Sequence, residues 1–359
     1  MRQFHCTCGN LLYFDSISCL RCGLAVGYDP VADLMRPLAP GWRLCDNGSR
    51  HGVCNWLLPE SSGDLYCASC RLNRIIPDLR QPNNLAHWAV VEAAKRRLIR
   101  TLLCLGMPLP NLAENATEGL AFEIVSTTLD PTLTTGYLRG VITLSMEEAD
   151  DTWRQINRQQ LGEASRTLLG HCRHESGHHV WGRVFGRLDW NDPLRQAFVE
   201  VFGEPSLDYA AALQRHYGQG PPPDWQERHI SAYASAHPWE DWAETWAHYL
   251  QILDSFETCQ CLGIRGGGLD LPLVILPVES CTLPASLKAA QSEDPAFHAW
   301  LQRWICLATM LNEVTRSFGS PFLYPYIISP AVARKLRLAH HVAHLWRPFE
   351  FPARGGASA

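Results

Sequence analysis

Long apolar runs are missing from this 359-residue chain: the longest uninterrupted stretches, such as Leu271 to Val278, fall far short of the ~20 residues a membrane helix needs. The opening residues Met1-Arg2-Gln3-Phe4-His5-Cys6 also lack the apolar core of a secretory signal. Both absences lead us to expect a cytoplasmic protein with no membrane role. Positive charge is not in excess, and a net charge of −5 argues against a surface built to neutralise phosphates or anionic lipid. Internal repeats and low-complexity tracts are absent too, and Gly220-Pro221-Pro222-Pro223 and Gly266-Gly267-Gly268 have the composition of loops. What remains, 46% hydrophobic and 19% charged residues, is ordinary for a chain that buries a core and suits two domains.

Cysteine is plentiful. In a reducing compartment fourteen thiols serve as metal ligands and buried side chains rather than disulfides. Eight fall in the first seventy residues as two sets of four: Cys6, Cys8, Cys19 and Cys22, then Cys45, Cys54, Cys67 and Cys70. Zinc takes four such ligands tetrahedrally, and a Cys-x-x-Cys pair on a tight turn can place both sulfurs on one ion. The pairs Cys19/Cys22 and Cys67/Cys70 have that spacing. Cys6/Cys8 and Cys45/Cys54 do not, so His5 or His51 can stand in for a cysteine in either half. Two structural zinc sites follow, because so short a segment has little core of its own. Residues 1–75 hold seven arginines and no lysine against six acids. That balance favours a structural or protein-docking role over nucleic-acid binding.

Pro77 to Asn84 reads as a linker ending in a helix cap, followed by a helix from about Leu85 to Leu105 with Leu85, Trp88, Val91, Leu98, Ile99 and Leu102 at helical spacing. Ala121 to Ser126 and Gly140 to Met146 are rich in β-branched residues and read as strands, the second a candidate edge strand for substrate backbone. A helical stretch from Glu147 pauses at Gly162 and resumes through Phe185. Further helices are expected at Leu194–Phe202, Pro205–Tyr217, Trp239–Leu253, Ala296–Phe318 and Pro330–Leu345.

Within the resumed helix stands His174-Glu175-Ser176-Gly177-His178, an H-E-x-x-H motif. Residues four apart share a helix face, so both imidazoles reach one zinc ion, and Glu175 lies beside it as a general base for water. His171 and His179 crowd the same region. A catalytic zinc needs a third protein ligand. Downstream, Glu240, Glu244 and His248 recur one turn apart on a tryptophan-rich helix, with His248 expected to be a core or capping residue. His340, His341 and His344 near the C-terminus suit a helix dipole as charged imidazoles. Of the other cysteines only Cys259-Gln260-Cys261 has a metal-like spacing, a weak one.

The two helices together resemble the gluzincin metallopeptidases, in which an H-E-x-x-H helix is followed, tens of residues on, by a helix carrying E-x-x-x-E. That resemblance implies Glu240 as third zinc ligand and Glu244 as its hydrogen-bonded support or an alternative ligand. Tyr233, seven residues before Glu240, matches a tyrosine that stabilises the oxyanion in some members. More narrowly, the chain resembles an uncharacterised bacterial family of zinc-binding metallopeptidases with an N-terminal zinc ribbon. The shared features are Phe4-to-Gly23, Gly140-to-Met146 with Glu147-Glu148-Ala149-Asp150 after it, the His174 motif, His237-to-Glu244 and Ser329-Pro330-Ala331. Cys6-Thr7-Cys8 departs from it, having one intervening residue where such ribbons have two. The fold expected is α+β and mainly α: a double zinc-ribbon module over 1–76, a linker over 77–84, and a zincin-like metallopeptidase domain over 85–359 with a small strand-containing part. The expected function is zinc-dependent hydrolysis of amide bonds in a peptide or protein, with one catalytic and two structural Zn2+ ions. The alternative is a zinc-stabilised scaffold whose ribbons recruit a protein or nucleic-acid partner without turnover.

Overall fold

A computed structural model describes residues 2–128, 132–154, 167–264 and 276–347, so Gly162, Gly266-Gly267-Gly268 and most of the Leu271–Val278 run lie outside the described residues. The chain divides into two compact units, Met1–His179 and Val180–Ala359. Among the described residues helices dominate, with small sheets confined to the first unit. No helix among the described residues is long and apolar enough to cross a membrane.

The first unit opens with three short antiparallel pairs: Phe4–His5 with Leu11–Leu12, Val26–Asp29 with Leu34–Pro37, and Trp42–Leu44 with Leu57–Pro59. A core does exist here, made of aromatics scattered too widely to show as periodicity. Phe4, Phe14 and Trp56 surround Tyr28, with the Phe14 and Trp56 ring centroids 4.8 and 5.0 Å from that of Tyr28. Asn55, itself buried, donates to the carbonyls of Phe14 (2.7 Å) and Ser16 (3.2 Å), stitching the second cysteine set to the first.

Asn84–Cys104 forms the expected helix, burying Trp88, Val91, Leu98, Ile99 and Leu102; Leu85 is exposed, one turn too early for the core. Its polar residues are as informative. Arg96 donates to the Val53 carbonyl, Arg97 pairs with Asp15, and Arg100 pairs with Asp33 at 2.9 Å, so arginines tether the cysteine-rich segment to this helix. Beneath them Glu92 and Lys95, both fully buried, pair at 2.9 Å. Much of the attraction in such a buried pair is consumed by the desolvation of the two charges.

Asn73–Ile75 leaves the cysteine-rich segment as one edge of a four-stranded sheet in the order Asn73–Ile75, Ala121–Val125, Val141–Ser145, Gly136–Leu138. Val141–Ser145 is therefore internal, parallel to Ala121–Val125 and antiparallel to Gly136–Leu138. This corrects the expectation of an edge strand there: the free edge belongs to Gly136–Leu138, whose three residues are too few to signal a strand. A two-residue turn joins the hairpin, with Arg139 and Gly140 both at positive φ (47° and 86°). A side chain at Gly140 is doubly excluded, since its Cβ would lie 2.6 Å from the Gly119 carbonyl oxygen.

In the second unit the long helix Pro238–Cys261 is capped by His237, whose ring accepts from the Trp239 amide at 3.0 Å, with Pro238 at the first helical position. It runs past Leu253 because nothing breaks it before Gly263. Trp242 sits among Phe185, Phe202 and Trp246, at ring-centroid distances of 5.0, 5.6 and 5.8 Å. Helices Pro193–Phe202, Asp294–Ser317 and Pro330–Ala343 complete this core, and buried Arg337 of the last pairs with Asp294 at 2.8 Å. Asp208 caps Tyr209–Gln219, which starts four residues later than Pro205.

Candidate metal centres and hydrolytic site

Both cysteine sets close into clusters whose four sulfurs lie within 4.8 Å of one another. The Sγ–Sγ distances are 3.6 Å for Cys6/Cys22 and for Cys8/Cys19, and 3.8 Å for Cys54/Cys67. Two thiolates about 2.3 Å from one ion at the tetrahedral angle stand about 3.8 Å apart, whereas a disulfide needs about 2.05 Å. Zinc geometry fits and disulfide geometry does not. Neither histidine is required: His5 is exposed and His51 packs its ring 5.6 Å from that of Trp88. The odd spacing of Cys6-Thr7-Cys8 is absorbed by a turn in which the Gly9 amide bonds the Cys6 carbonyl at 2.8 Å.

Backbone amides point at several of the sulfurs. Backbone amides of Cys22, then Arg21, hold the Cys19 thiol down to about 6. In the second set the amides of Cys67, Cys70 and Trp56 donate to Cys45 (3.3 Å), Cys67 (3.4 Å) and Cys54 (3.4 Å). That set is buried throughout, and the buried cations Lys95 and Arg96 lie in its field. A Zn2+ ion with four thiolates would carry a net −2, which those two cations offset in part, since Lys95 is also paired with Glu92.

The motif helix spans Leu168–Val184. The Nε2 atoms of His174 and His178 converge to 3.2 Å, with the rings nearly perpendicular at 84°. Two imidazole nitrogens about 2.05 Å from one zinc stand about 3.3 Å apart, so this pair is spaced as two zinc ligands are. Tyr137 of the edge strand stacks on His178, ring centroids 6.3 Å apart, and its hydroxyl lies 3.5 Å from His179 Nδ1. Glu175 is buried. Its Oε1 meets His171 Nε2 at 3.1 Å, while its Oε2 makes no hydrogen bond with any described residue. Burial alone would raise the Glu175 carboxyl, but the bond from His171 and the neighbouring imidazoles hold it below the usual range.

In the second unit Glu240 is buried and its Oε1 accepts from the Tyr209 hydroxyl at 2.7 Å. Ser231 donates to Glu244 Oε2 at 2.6 Å. Tyr233 packs its ring 5.9 Å from that of His216, and burial, then the negative Glu240, push its phenol far up, so it remains a donor. Tyr209 was not legible: a tyrosine thirty-one residues from its partner has no spacing rule. Tyr137 and Glu148 escaped for the same reason. His248 is the core residue expected, with its ring centroid 4.2 Å from that of Tyr326.

The C-terminal histidines correct the dipole expectation. His340 and His344 each lie 3.0 Å from the Tyr249 hydroxyl, and burial pushes His341 and His344 down to about 4, so they are neutral packing residues. Cys259 is buried and Cys261, two residues on, is exposed, so the two thiols are turned to different environments.

Residues 84–342 match a family described as "Putative zinc-binding metallo-peptidase", and residues 3–81 match a zinc-ribbon domain. An uncharacterized protein of Mycobacterium bovis is 38% identical over 356 residues, covering 98% of each chain. Uncharacterized proteins of two Mycobacterium tuberculosis strains match to the same extent. No solved structure matches the chain. With two four-cysteine clusters ahead of a paired-histidine helix, and a family match across most of its length, the chain belongs to the family described as "Putative zinc-binding metallo-peptidase", with a zinc-ribbon domain in its N-terminal part.

Proposed function

We propose that the protein hydrolyses peptide bonds at a zinc ion held by His174, His178 and Glu240. The observation that carries this is the 3.2 Å approach of the two Nε2 atoms beside a carboxylate whose second oxygen is buried and has no hydrogen bond among the described residues. In this reading Glu240, buried on the helix Pro238–Cys261, is the third donor. A zinc ion held there would supply Lewis acidity and bring the deprotonation of water into the neutral range. Glu175 Oε2 takes that proton and returns it to the departing amine. The Tyr233 hydroxyl donates to the oxyanion that forms on the carbonyl. Glu244 supports the ligand set, and the edge strand Gly136–Leu138, next to His178 through Tyr137, offers backbone for an extended substrate. A scaffold without turnover has no use for the open oxygen of Glu175.

Zinc counting tests the ligand assignment. The intact chain should hold about three ions. Glu240→Ala should bring the count toward two, and Glu244→Ala should lower it less. Elemental analysis of the folded variants decides, and the reverse order would exchange the two roles.

A further inference from the structure

Glu147 and Glu148 are consecutive acids that do different things. Glu147 turns back onto the ends of two strands, where its carboxylate accepts from Ser145 Oγ at 2.6 Å and from the Thr127 amide at 3.1 Å. Burial opposes its charge, but the hydroxyls of Ser126 and Ser145 lead the bonds that hold it down to about 2, fixing the short 3-10 turn Met146–Ala149. Glu148 then has one direction left, inward. It is 2% exposed and its Oε2 meets His171 Nδ1 at 2.9 Å. His171 is buried as well, and its other nitrogen meets Glu175 Oε1 at 3.1 Å.

Both nitrogens of one imidazole therefore face carboxylate oxygens. A neutral ring has one N–H, which would leave a lone pair against a lone pair on the other side. A ring protonated at both nitrogens satisfies both contacts, and two carboxylates outweigh the cost of burying one positive charge.

We infer that Glu148 and the doubly protonated His171 form a buried positioning pair for Glu175, pinning its Oε1 so that Oε2 stays open toward the edge strand. The catalytic part of this inference rests on the hydrolytic role proposed above. The open side faces Gly136 of that strand, where a Cβ would lie 3.9 Å from Oε2, at ordinary contact distance. His171 does not touch substrate. It acts by denying Glu175 other rotamers and by keeping the positive imidazolium beside the oxygen that does not take the proton. The local field agrees: burial works against the charge, but Glu148, then Glu175, push the His171 imidazole up to about 9.

The test uses the full-length zinc-loaded chain with 15N-labelled histidine at pH 7. Among its fifteen histidines the His171 ring is identified by the signal lost in His171→Gln. Both of its nitrogens should resonate as protonated. In Glu148→Gln, which is nearly isosteric, the ring should turn neutral with one bare nitrogen while the zinc content stays the same. On fluorescein-labelled casein this variant should lose about 10–100-fold in kcat with KM unchanged. A ring with one bare nitrogen in the unaltered protein overturns the inference even if the enzyme is active, as does a kcat unaffected by Glu148→Gln. A chain that holds its zinc and shows the doubly protonated ring, yet cleaves no probe, overturns the hydrolytic role and leaves the buried pair standing.

Discussion

Glu175→Gln should keep all three zinc ions and the fold, yet lose at least about a hundredfold in hydrolysis of a labelled protein substrate. The amide keeps the size of the side chain and still accepts from His171 through its oxygen. It cannot take a proton at the position of Oε2, the buried oxygen that has no hydrogen-bond partner among the described residues. Structure and base strength are thus separated in one substitution. Turnover that survives it would remove Glu175 from the chemistry, and zinc lost with it would make the residue structural instead.

Cys67→Ser should release one zinc ion and unfold the segment around the second cluster. Cys67 has no exposed surface and lies 3.8 Å from Cys54. The elements it holds are a six-residue helix and strands of three residues, too short to persist unaided. Structural zinc in such modules contributes roughly 10–16 kcal/mol of apparent binding free energy, so even partial loss exceeds the margin of a small domain. Removing the ion also leaves Lys95 and Arg96 buried without the negative cluster they face, which adds to the cost. Zinc content and limited proteolysis read the outcome. Cys261→Ser, at an exposed thiol, should change neither. Resistance to proteolysis after zinc is lost would mean that the aromatic core around Tyr28 holds the segment by itself.

Short-range pattern made much of this molecule legible. Cys-x-x-Cys pairs, an H-E-x-x-H run and the three acid or imidazole side chains of the tryptophan-rich helix are spaced by the geometry of a turn or a helix, so sequence distance translates into spatial distance. The helices around Trp88, Trp242 and Val332 were visible for the same reason. Long-range pairings were not. Nothing near Glu148 announces that it meets His171 twenty-three residues on, and His171 itself looked like a distraction beside the motif. Tyr209 reaches Glu240 across thirty-one residues, and the aromatic core of the cysteine-rich segment draws single rings from four separate stretches. The edge strand was misassigned because periodicity identifies a strand but not its neighbours, which hydrogen bonding to Ala121–Val125 and Gly136–Leu138 decides. The C-terminal histidines were misjudged because their spacing does not reveal burial, and burial makes them neutral.

Anomalous diffraction at the zinc absorption edge, on crystals of the full-length protein, tests the central claim most directly. Three peaks are expected: one within each four-cysteine cluster and one bonded to His174, His178 and Glu240, with a coordination position left to solvent. Two peaks, both on cysteine, would contradict it, and so would a third ion closed off by a fourth side chain.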